Sequence, residues 1–356
     1  MALNLGPDVV GVVVFSNDRE IQEDTIVANG TYPYPVKDHV VPCSDGAAVV
    51  VELGSNVESL QVADRVVVNF DMNNLSGLQP GSTRESLGGN LDGVLRQYIT
   101  LPAEVLSKVP EECNLTLVQM ASLVASGVTA WNALFGLLPL KAGQTVLFQG
   151  EQFNLDGYLA QFTISSTNFT DTLRGLSGTG GVSTIGLQLA KAAGATTIVT
   201  SSSNEKLKFV QDKFGADHVI NFKTYPNWAA VANEITHGRG VDVILENGGS
   251  GTIRQSIEAI KLGGLIAVIG FLSPAKQEDM PDVPGLLIGK ACILRGIAVG
   301  TQRQLRELVD FVNVHNIQPS VQKTFGFSRD QVVDAFDYLQ TGRHIGKMGI
   351  EVTHAE

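Results

Sequence analysis

The first third of the chain alternates short apolar runs with turn-forming residues. The runs are rich in valine, isoleucine and leucine, and glycine, proline, asparagine and aspartate are frequent between them. Runs of this length and composition predict strands rather than helices, so we expect an all-β module from residue 9 to about residue 110. The predicted strands are DVVGVVVF (8–15), AAVVVELG (47–54), DRVVVNF (64–70) and LRQYITLP (95–102).

Apolar residues take up helical spacing near Leu115, and beyond it predicted strands and helices alternate. The strands are continuous apolar runs and the helices are amphipathic, a pattern typical of a parallel sheet with helices on both faces. The sequence therefore predicts a doubly wound α/β domain. The predicted strands begin at residues 144, 196, 218, 241, 265 and 291, and the predicted helices cover residues 180–194, 204–215, 252–264 and 303–313.

A chain of 356 residues is long enough for two hydrophobic cores. We expect a β domain in residues 1–129, a doubly wound domain in residues 130–299, and a helix and return to the first domain in residues 300–356. Segment 151–178 interrupts the second domain between a strand and its helix, where most connections have about 2–6 residues. Three interpretations stay open for this segment: a retained intron or gene-model error, a lid, or a tolerated surface excursion.

Composition restricts the partners and the compartment. The net charge of −11 and the isoelectric point near 5.0 argue against binding to nucleic acid or to anionic lipid. No uninterrupted apolar run reaches the roughly 20 residues of a membrane-spanning helix, and the N terminus lacks the features of a secretory signal. Cys43, Cys113 and Cys292 are odd in number and far apart, which predicts free thiols in the cytoplasm.

A glycine-rich turn precedes the first predicted helix of the second domain. Glycines at a strand-to-helix turn let the backbone approach a pyrophosphate, whose charge is stabilised by the free N–H groups and the positive end of the helix. The position of this turn between a strand and a helix favours a dinucleotide site over a plain packing turn. The candidate residues are Gly178, Gly180, Gly181 and Val182.

The end of the second strand of this domain indicates which dinucleotide binds. A site for NAD(H) typically has an acidic residue there, which binds the ribose 2′-hydroxyl. Here Ser201 and Ser202 are followed by Lys206, and small hydroxyls with a cation favour the 2′-phosphate of NADP(H). Glu205 is the argument for NAD(H), and a solvated helix residue is the alternative interpretation of Lys206. Three residues at later strand ends are expected to line the nicotinamide path: Asn247, Gly248 and Gly270.

Seven short motifs are spread over both predicted domains. They are Asp64-Arg65-Val66, Leu91-Asp92-Gly93, GVTAW (127–131), GTGGVS (178–183), GADHVINF (215–222), GRGVDVILENGG (238–249) and HIGKMGI (344–350). Together they resemble the medium-chain dehydrogenase/reductases, over residues 9–150 and 179–353, and within them the zinc-independent alcohol dehydrogenase-like and quinone-reductase-like branch. The resemblance implies a GroES-like β domain, a Rossmann domain and hydride transfer at a nicotinamide in the cleft between them.

The resemblance also bears on zinc. Where zinc-containing relatives have a Gly-His-Glu segment that supplies a metal ligand, this chain reads PCSDG at residues 42–46, without the histidine. Three scattered cysteines cannot form the four-cysteine structural zinc site of that family. We therefore expect no metal, and Cys43 as a stray ligand is the remaining alternative. Without zinc, hydrogen bonds must polarise the hydride acceptor, which suits conjugated carbonyls.

The same resemblance implies catalytic residues. Thr129 is expected beside the nicotinamide. Asn17 and Arg19 are the nearest match to an Asn-Tyr-Arg-Asp segment that lines the pocket of relatives, but the tyrosine is missing, and an exposed turn is the alternative. Lys347 is expected to contact the cofactor, or else to be an ordinary surface lysine.

These observations predict an NADP(H)-preferring, zinc-free oxidoreductase. It would transfer hydride between the nicotinamide and a small carbonyl, enone or quinone, or act on an alcohol in the reverse direction. The alternative is a catalytically impaired nucleotide-binding or interaction protein of the same fold, suggested by the missing tyrosine, by an N terminus shorter than in relatives, and by segment 151–178. Relatives often pair through the strand that matches residues 291–300, so a homodimer is expected.

Overall fold

The computed structural model divides the chain into two compact units. The described residues are 9–17, 36–77, 81–150, 180–271, 273, 275–340 and 344–352, with only the backbone described for 9–17 and 340. The first unit comprises residues 1–128, 299–339 and 346–356, and the second comprises residues 129–298 and 340–345. The interrupting segment 151–178 lies outside the described residues.

The elements follow each other along the chain as strands first and then as alternating strands and helices. The strands are β1 Val9–Asn17, β2 Ala47–Leu53, β3 Arg65–Val68, β4 Ile99–Pro102, β5 Leu106–Lys108, β6 Thr145–Phe148, β7 Thr196–Ser201, β8 His218–Asn221, β9 Val241–Glu246, β10 Ile260–Val268, β11 Ile293–Gly296, β12 Val321–Gly326 and β13 Lys347–Glu351. The helices are α1 Leu117–Ala121, α2 Val128–Phe135, α3 Gly181–Ala192, α4 Asn204–Phe214, α5 Trp228–Ile235, α6 Ile253–Ala259, α7 Val283–Lys290, α8 Gln302–Val314 and α9 Arg329–Gln340, and a π-helical turn, Leu123–Gly127, lies between α1 and α2.

In the part of the first unit that the structure describes, seven strands form one sheet. The order is β12-β13-β1-β2-β3-β5, and β4 pairs with β1. In β2, Ala48 and Val50 are buried and Val51 is 37% exposed, the alternation expected of a sheet with one covered face. Val66 and Val68 of β3 join the same hydrophobic core. The predicted β module is therefore confirmed.

An apolar helical segment, Leu117–Phe135, belongs to the core. It begins at a capping box, in which Thr116 Oγ1 accepts from Gln119 N and Gln119 Oε1 accepts from Thr116 N. Its length and its mean hydropathy of 1.2 would allow it to cross a membrane, but 83% of this window is buried inside the fold. We interpret it as a core helix for this reason.

In the part of the second unit that the structure describes, six parallel strands form the sheet, in the order β11-β10-β9-β6-β7-β8. All four residues of β6 are buried, as expected of a strand covered on both faces. The direction of winding reverses between β6 and β9. Open α/β sheets bind ligands at this switch point, outside the carboxyl ends of the strands. The predicted doubly wound fold is confirmed.

One predicted helix boundary is wrong. The helix predicted for residues 252–264 ends at Ala259, and Ile260 already pairs with Val241 in the sheet. Gly263 has a φ of +71°, which lies outside the helical region. The apolar spacing misled the prediction, because the last turn of a helix and the first residues of a buried strand are equally apolar.

Candidate functional site

The first turn of α3 lies at the carboxyl end of β6. Ser183 Oγ donates to the backbone oxygen of Gln149, which follows β6, over 3.1 Å. Gly180 is the N-cap of α3, and no side chain caps the helix there. A Cβ added to Gly180 would meet no atom of the described residues within 4 Å. Uncapped N–H groups beside open space are suited to a phosphate group.

The structure places most of the predicted phosphate-site residues in this turn. Gly181 and Val182 are buried at the start of α3, directly after Gly180. Gly178 lies outside the described residues. The arrangement therefore fits the pyrophosphate of a dinucleotide at the residues that the structure describes.

The end of β7 and the start of α4 form a chain of hydrogen bonds. Ser201 Oγ accepts from Ser203 N over 3.3 Å, and Ser203 Oγ accepts from Lys206 N over 3.3 Å, which caps α4. Lys206 Nζ donates to the backbone oxygen of His344 over 3.3 Å. Burial lowers the pKa of the Lys206 amine. Lys206 is thus held against the backbone of His344, in the same unit, instead of extending into solvent. The interpretation as a solvated helix residue is therefore disfavoured.

The loops after β9 and β10 meet at the same edge of the sheet. Asn247 and Gly248 follow β9, and Asn247 Nδ2 donates to Gln149 O over 3.0 Å and to Ser183 Oγ over 3.3 Å. A Cβ added to Gly270, after β10, would lie 2.6 Å from Asn247 O, so the two backbones approach more closely than a side chain would allow. The structure thus brings three predicted residues together with the first turn of α3.

Sequence reasoning missed two buried polar residues at these strand ends. Gln149 and Glu246 are both fully buried, and Gln149 Nε2 donates to Glu246 Oε2 over 2.6 Å. Burial raises the pKa of the Glu246 carboxyl, and hydrogen bonds from its neighbours oppose this rise. The available signal was one polar residue at the end of each of two apolar runs, VLFQ and VILE.

The predicted catalytic residues are only partly described. Thr129, the second residue of α2, is fully buried in the second unit. Asn17 is the last residue of β1, where its register partner is Gly349 of β13. The Asn17 side chain and the whole of Arg19 lie outside the described residues.

The first unit contains a buried ion pair. Lys347 Nζ lies 3.0 Å from Asp45 Oδ2, and the two side chains are 4% and 0% exposed. Asp45 Oδ1 accepts from Ala125 N, in the π-helical turn, over 2.7 Å. The interpretation of Lys347 as a surface lysine is therefore wrong. Its amine is paired with a carboxylate within the first unit.

The segment before Asp45 has a constrained backbone. Cys43 is buried and has a φ of +71°, which is uncommon for a residue with a side chain. Gly93 N donates to Val41 O and Val94 N donates to Cys43 O, each over 2.6 Å. A Cβ on Gly93 would lie 2.0 Å from Cys43 O, so this contact requires glycine. The contact fixes the backbone that presents Asp45 to Lys347.

A doubly wound sheet with an open helix terminus at its switch point is typical of nucleotide-binding proteins. Residues 9–111 match the family model of the alcohol dehydrogenase GroES-like domain, and residues 181–313 match that of the zinc-binding dehydrogenases. The chain therefore belongs to the medium-chain dehydrogenase/reductase superfamily, as an alcohol dehydrogenase-like oxidoreductase of a nicotinamide-dependent family.

Individual relatives agree with this assignment. The chain is 37% identical over 333 residues to the zinc-type alcohol dehydrogenase-like protein of Schizosaccharomyces pombe, across 92% of this chain and 87% of that protein. A crystal structure from Sinorhizobium meliloti 1021, proposed to be an alcohol dehydrogenase, matches with a TM-score of 0.81 and 32% identity, across 98% of this chain and 92% of that one. A 2-haloacrylate reductase matches with a TM-score of 0.71 and 25% identity, across 98% of this chain and 92% of that one.

Zinc, which the name of one family model implies, does not fit the described residues. Among them no group of three or more histidine, cysteine, aspartate or glutamate residues is arranged to hold a metal ion. Asp45, the acidic residue that follows Cys43 and Ser44, is paired with Lys347. A zinc site needs at least three protein ligands.

Proposed function

We propose that this protein is an NADP(H)-preferring, zinc-independent oxidoreductase of small activated carbonyl compounds, enones or quinones. In the reverse direction it would oxidise an alcohol. The observation that carries this proposal is the uncapped N terminus of α3 at the switch point of the sheet, where a Cβ on Gly180 would meet no described residue within 4 Å. With the pyrophosphate at this turn, the reduced nicotinamide of the bound dinucleotide would supply a hydride.

The preference for NADP(H) rests on the residues at the end of β7. Ser201 is buried, Ser202 is half-buried, and both precede the N-cap of α4, where the helix dipole favours a negative charge. Lys206 lies in the first turn of this helix and supplies a cation for a 2′-phosphate. The carboxylate nearest in sequence, that of Glu205, is exposed.

The preference for conjugated substrates rests on the proposed absence of a Lewis acid. Hydride addition to an enone places negative charge on the carbonyl oxygen, and hydrogen-bond donors must then stabilise that charge before a proton neutralises it. We assign this work to Thr129 beside the nicotinamide, with Asn17 and Arg19 as further lining residues. The similar 2-haloacrylate reductase supports a conjugated alkene as a substrate class.

The test is NADPH oxidation by the purified full chain with a panel of quinones, enones and aldehydes. We expect turnover with at least one conjugated carbonyl and none that depends on added zinc. Binding of NADPH without turnover on the whole panel would instead favour a nucleotide-binding protein that is catalytically impaired. A chain that binds neither NADPH nor NADH would refute the proposal.

We further propose that the protein is a cytoplasmic homodimer formed through the β11 edge. Among the described strands, β11 lies at the end of the sheet and pairs only with β10. The adjacent helix α7 has no buried residue, and Ile288 and Ile293 are 81% and 36% exposed. An apolar edge of this kind is a template for pairing with a second copy. Light scattering would show a dimer, and Ile288→Lys should shift it toward monomer.

A further inference from the structure

The amide of Gln149 has only one orientation that satisfies its neighbours. Its Oε1 faces the backbone N–H groups of Asn247 and Gly248, at 2.9 Å and 3.2 Å. A backbone N–H can only donate, so the oxygen must lie on this side and the NH₂ group on the other. There Nε2 donates to Glu246 Oε2 over 2.6 Å and to Ser256 Oγ over 2.7 Å.

Glu246 accepts hydrogen bonds on both carboxyl oxygens. Oε1 accepts from Gly249 N over 2.9 Å and from Thr252 Oγ1 over 2.5 Å. Oε2 accepts from Gln149 Nε2 and, in a short contact, from Ser256 Oγ. Each oxygen therefore faces one N–H donor that cannot reverse its role. We call Gln149, Glu246, Thr252 and Ser256 the strand-end network.

A carboxyl group is the only side-chain end group that satisfies both of these N–H donors. With glutamine at position 246, its NH₂ group would face either the amide N–H of Gly249 or the NH₂ group of Gln149, and one hydrogen bond would be replaced by two opposed donors. Gln149 cannot turn to relieve this conflict, because Asn247 N and Gly248 N fix its oxygen. The isosteric change Glu246→Gln is thus a disruptive one.

The network controls the shape of the loops around the predicted nicotinamide path. It holds three successive backbone N–H groups after β9, those of Asn247, Gly248 and Gly249. The loop after β10 is held in turn by the loop after β9, because Ile269 N donates to Glu246 O over 2.8 Å and Ser273 N donates to Gly248 O over 2.8 Å. One pair of buried side chains therefore sets the course of both loops.

We propose that Gln149 and Glu246 are positioning residues, which hold the loops after β9 and β10 in the arrangement that receives the nicotinamide half of the dinucleotide. This inference rests on the proposed function, since it needs a bound dinucleotide. Neither side chain is exposed, so both act through the backbone of residues 247–249. Preorganised N–H and C=O groups reduce the ordering that binding would otherwise require.

The decisive experiment exchanges the two side chains. In Glu246→Gln the new NH₂ group faces another N–H donor, and one hydrogen bond is lost. We therefore expect the Kd for NADPH to rise about tenfold, which is the effect of one lost hydrogen bond to a charged group. In the double variant Gln149→Glu with Glu246→Gln, the new carboxylate at position 149 accepts from Asn247 N and Gly248 N. The new amide at position 246 donates to that carboxylate and accepts from Gly249 N. Every N–H donor regains an acceptor, so the double variant should recover the wild-type Kd.

A matched control removes a buried hydrogen bond at the amino-terminal end of a strand, away from the strand ends that form the candidate site. Thr197 is fully buried near the start of β7, and its Oγ1 donates to Asp217 Oδ2 over 2.9 Å. Thr197→Val should lower the melting temperature but leave NADPH binding unchanged. A second readout needs no cofactor: hydrogen exchange at residues 247–249 should accelerate in Glu246→Gln and slow again in the double variant.

The outcomes separate this inference from the proposed function. If the wild-type chain binds NADPH and Glu246→Gln binds it equally well, the inference is wrong and the function stands. If Thr197→Val weakens binding as much as Glu246→Gln at an equal loss of melting temperature, the effect is general destabilisation and the positioning role is overturned. A double variant no better than Glu246→Gln would also overturn it. A wild-type chain that binds no dinucleotide would refute both.

Discussion

Replacing Lys347 with methionine tests the buried ion pair of the first unit. The substitution keeps the length of the side chain but leaves the buried Asp45 carboxylate without its lysine partner. Two unit charges 3.0 Å apart attract each other by about 5–6 kcal/mol at an effective dielectric constant near 20. Removal of one partner of a buried pair costs about 3–5 kcal/mol. We therefore expect the free energy of unfolding to fall by about 3 kcal/mol or more, a large share of the roughly 5–15 kcal/mol typical of a folded protein.

The assay can localise this loss to one unit. Both tryptophans, Trp131 and Trp228, belong to the second unit, so their fluorescence reports that unit while far-ultraviolet circular dichroism reports the whole chain. Lys347→Met should lower the urea concentration at the midpoint of the dichroism transition. The midpoint of the fluorescence transition should shift less. Asp45→Asn should have a comparable effect, and the double variant should lose less than the sum of the two single losses.

The control is an ion pair of the same unit whose lysine is exposed and whose aspartate is 10% exposed. Lys108 Nζ lies 2.7 Å from Asp64 Oδ1, with the lysine side chain 39% exposed, so Lys108→Met should change the transition far less. If Lys347→Met were as mild as Lys108→Met, or if the losses at Asp45 and Lys347 were simply additive, the pair would not stabilise the fold in the way described.

Three further predictions concern the nucleotide site. Lys206→Ala should raise the Kd for NADPH about tenfold and leave the Kd for NADH nearly unchanged. The control Lys208→Ala, which removes an exposed ion pair with Asp212 on the same helix, should alter neither Kd. Equal effects of Lys206→Ala on both dinucleotides would contradict a 2′-phosphate contact. Incubation with a metal chelator should leave turnover intact, and stoichiometric zinc whose removal abolishes activity would disprove zinc independence. Excision of residues 151–178 brings the glycine turn next to Gly150, so NADPH should bind more tightly and the melting temperature should rise; a loss of both would show that the segment belongs to the working protein.

The sequence predicted the features that repeat along the chain. The apolar run of β6 and the glycines before α3 are local signals, and they sufficed for the doubly wound fold and for the position of the glycine turn before α3. The end of α6 could not be placed, because Ile257 and Ile260 are apolar for different reasons, the first in a helix and the second in a strand.

Contacts between distant residues were beyond the reach of the sequence. Asp45 and Lys347 are 302 positions apart, and each alone reads as an ordinary charged residue. Gln149 and Glu246 are 97 positions apart, and their partnership depends on the pairing of β6 with β9. Periodicity reports which face of an element is buried, but it does not report which polar residue lies opposite which.

Gly93 and Gly180 should tolerate substitution differently, although hydrophobicity alone does not distinguish the two glycines. At Gly93 a Cβ would collide with Cys43 O, whereas at Gly180 it would meet no residue that the structure describes. A library screened only for soluble expression should therefore accept alanine at position 180 and reject it at position 93. Screened for binding of NADPH, the same library should reject both. The difference between the two screens would mark the residues that this protein keeps for its ligand rather than for its fold.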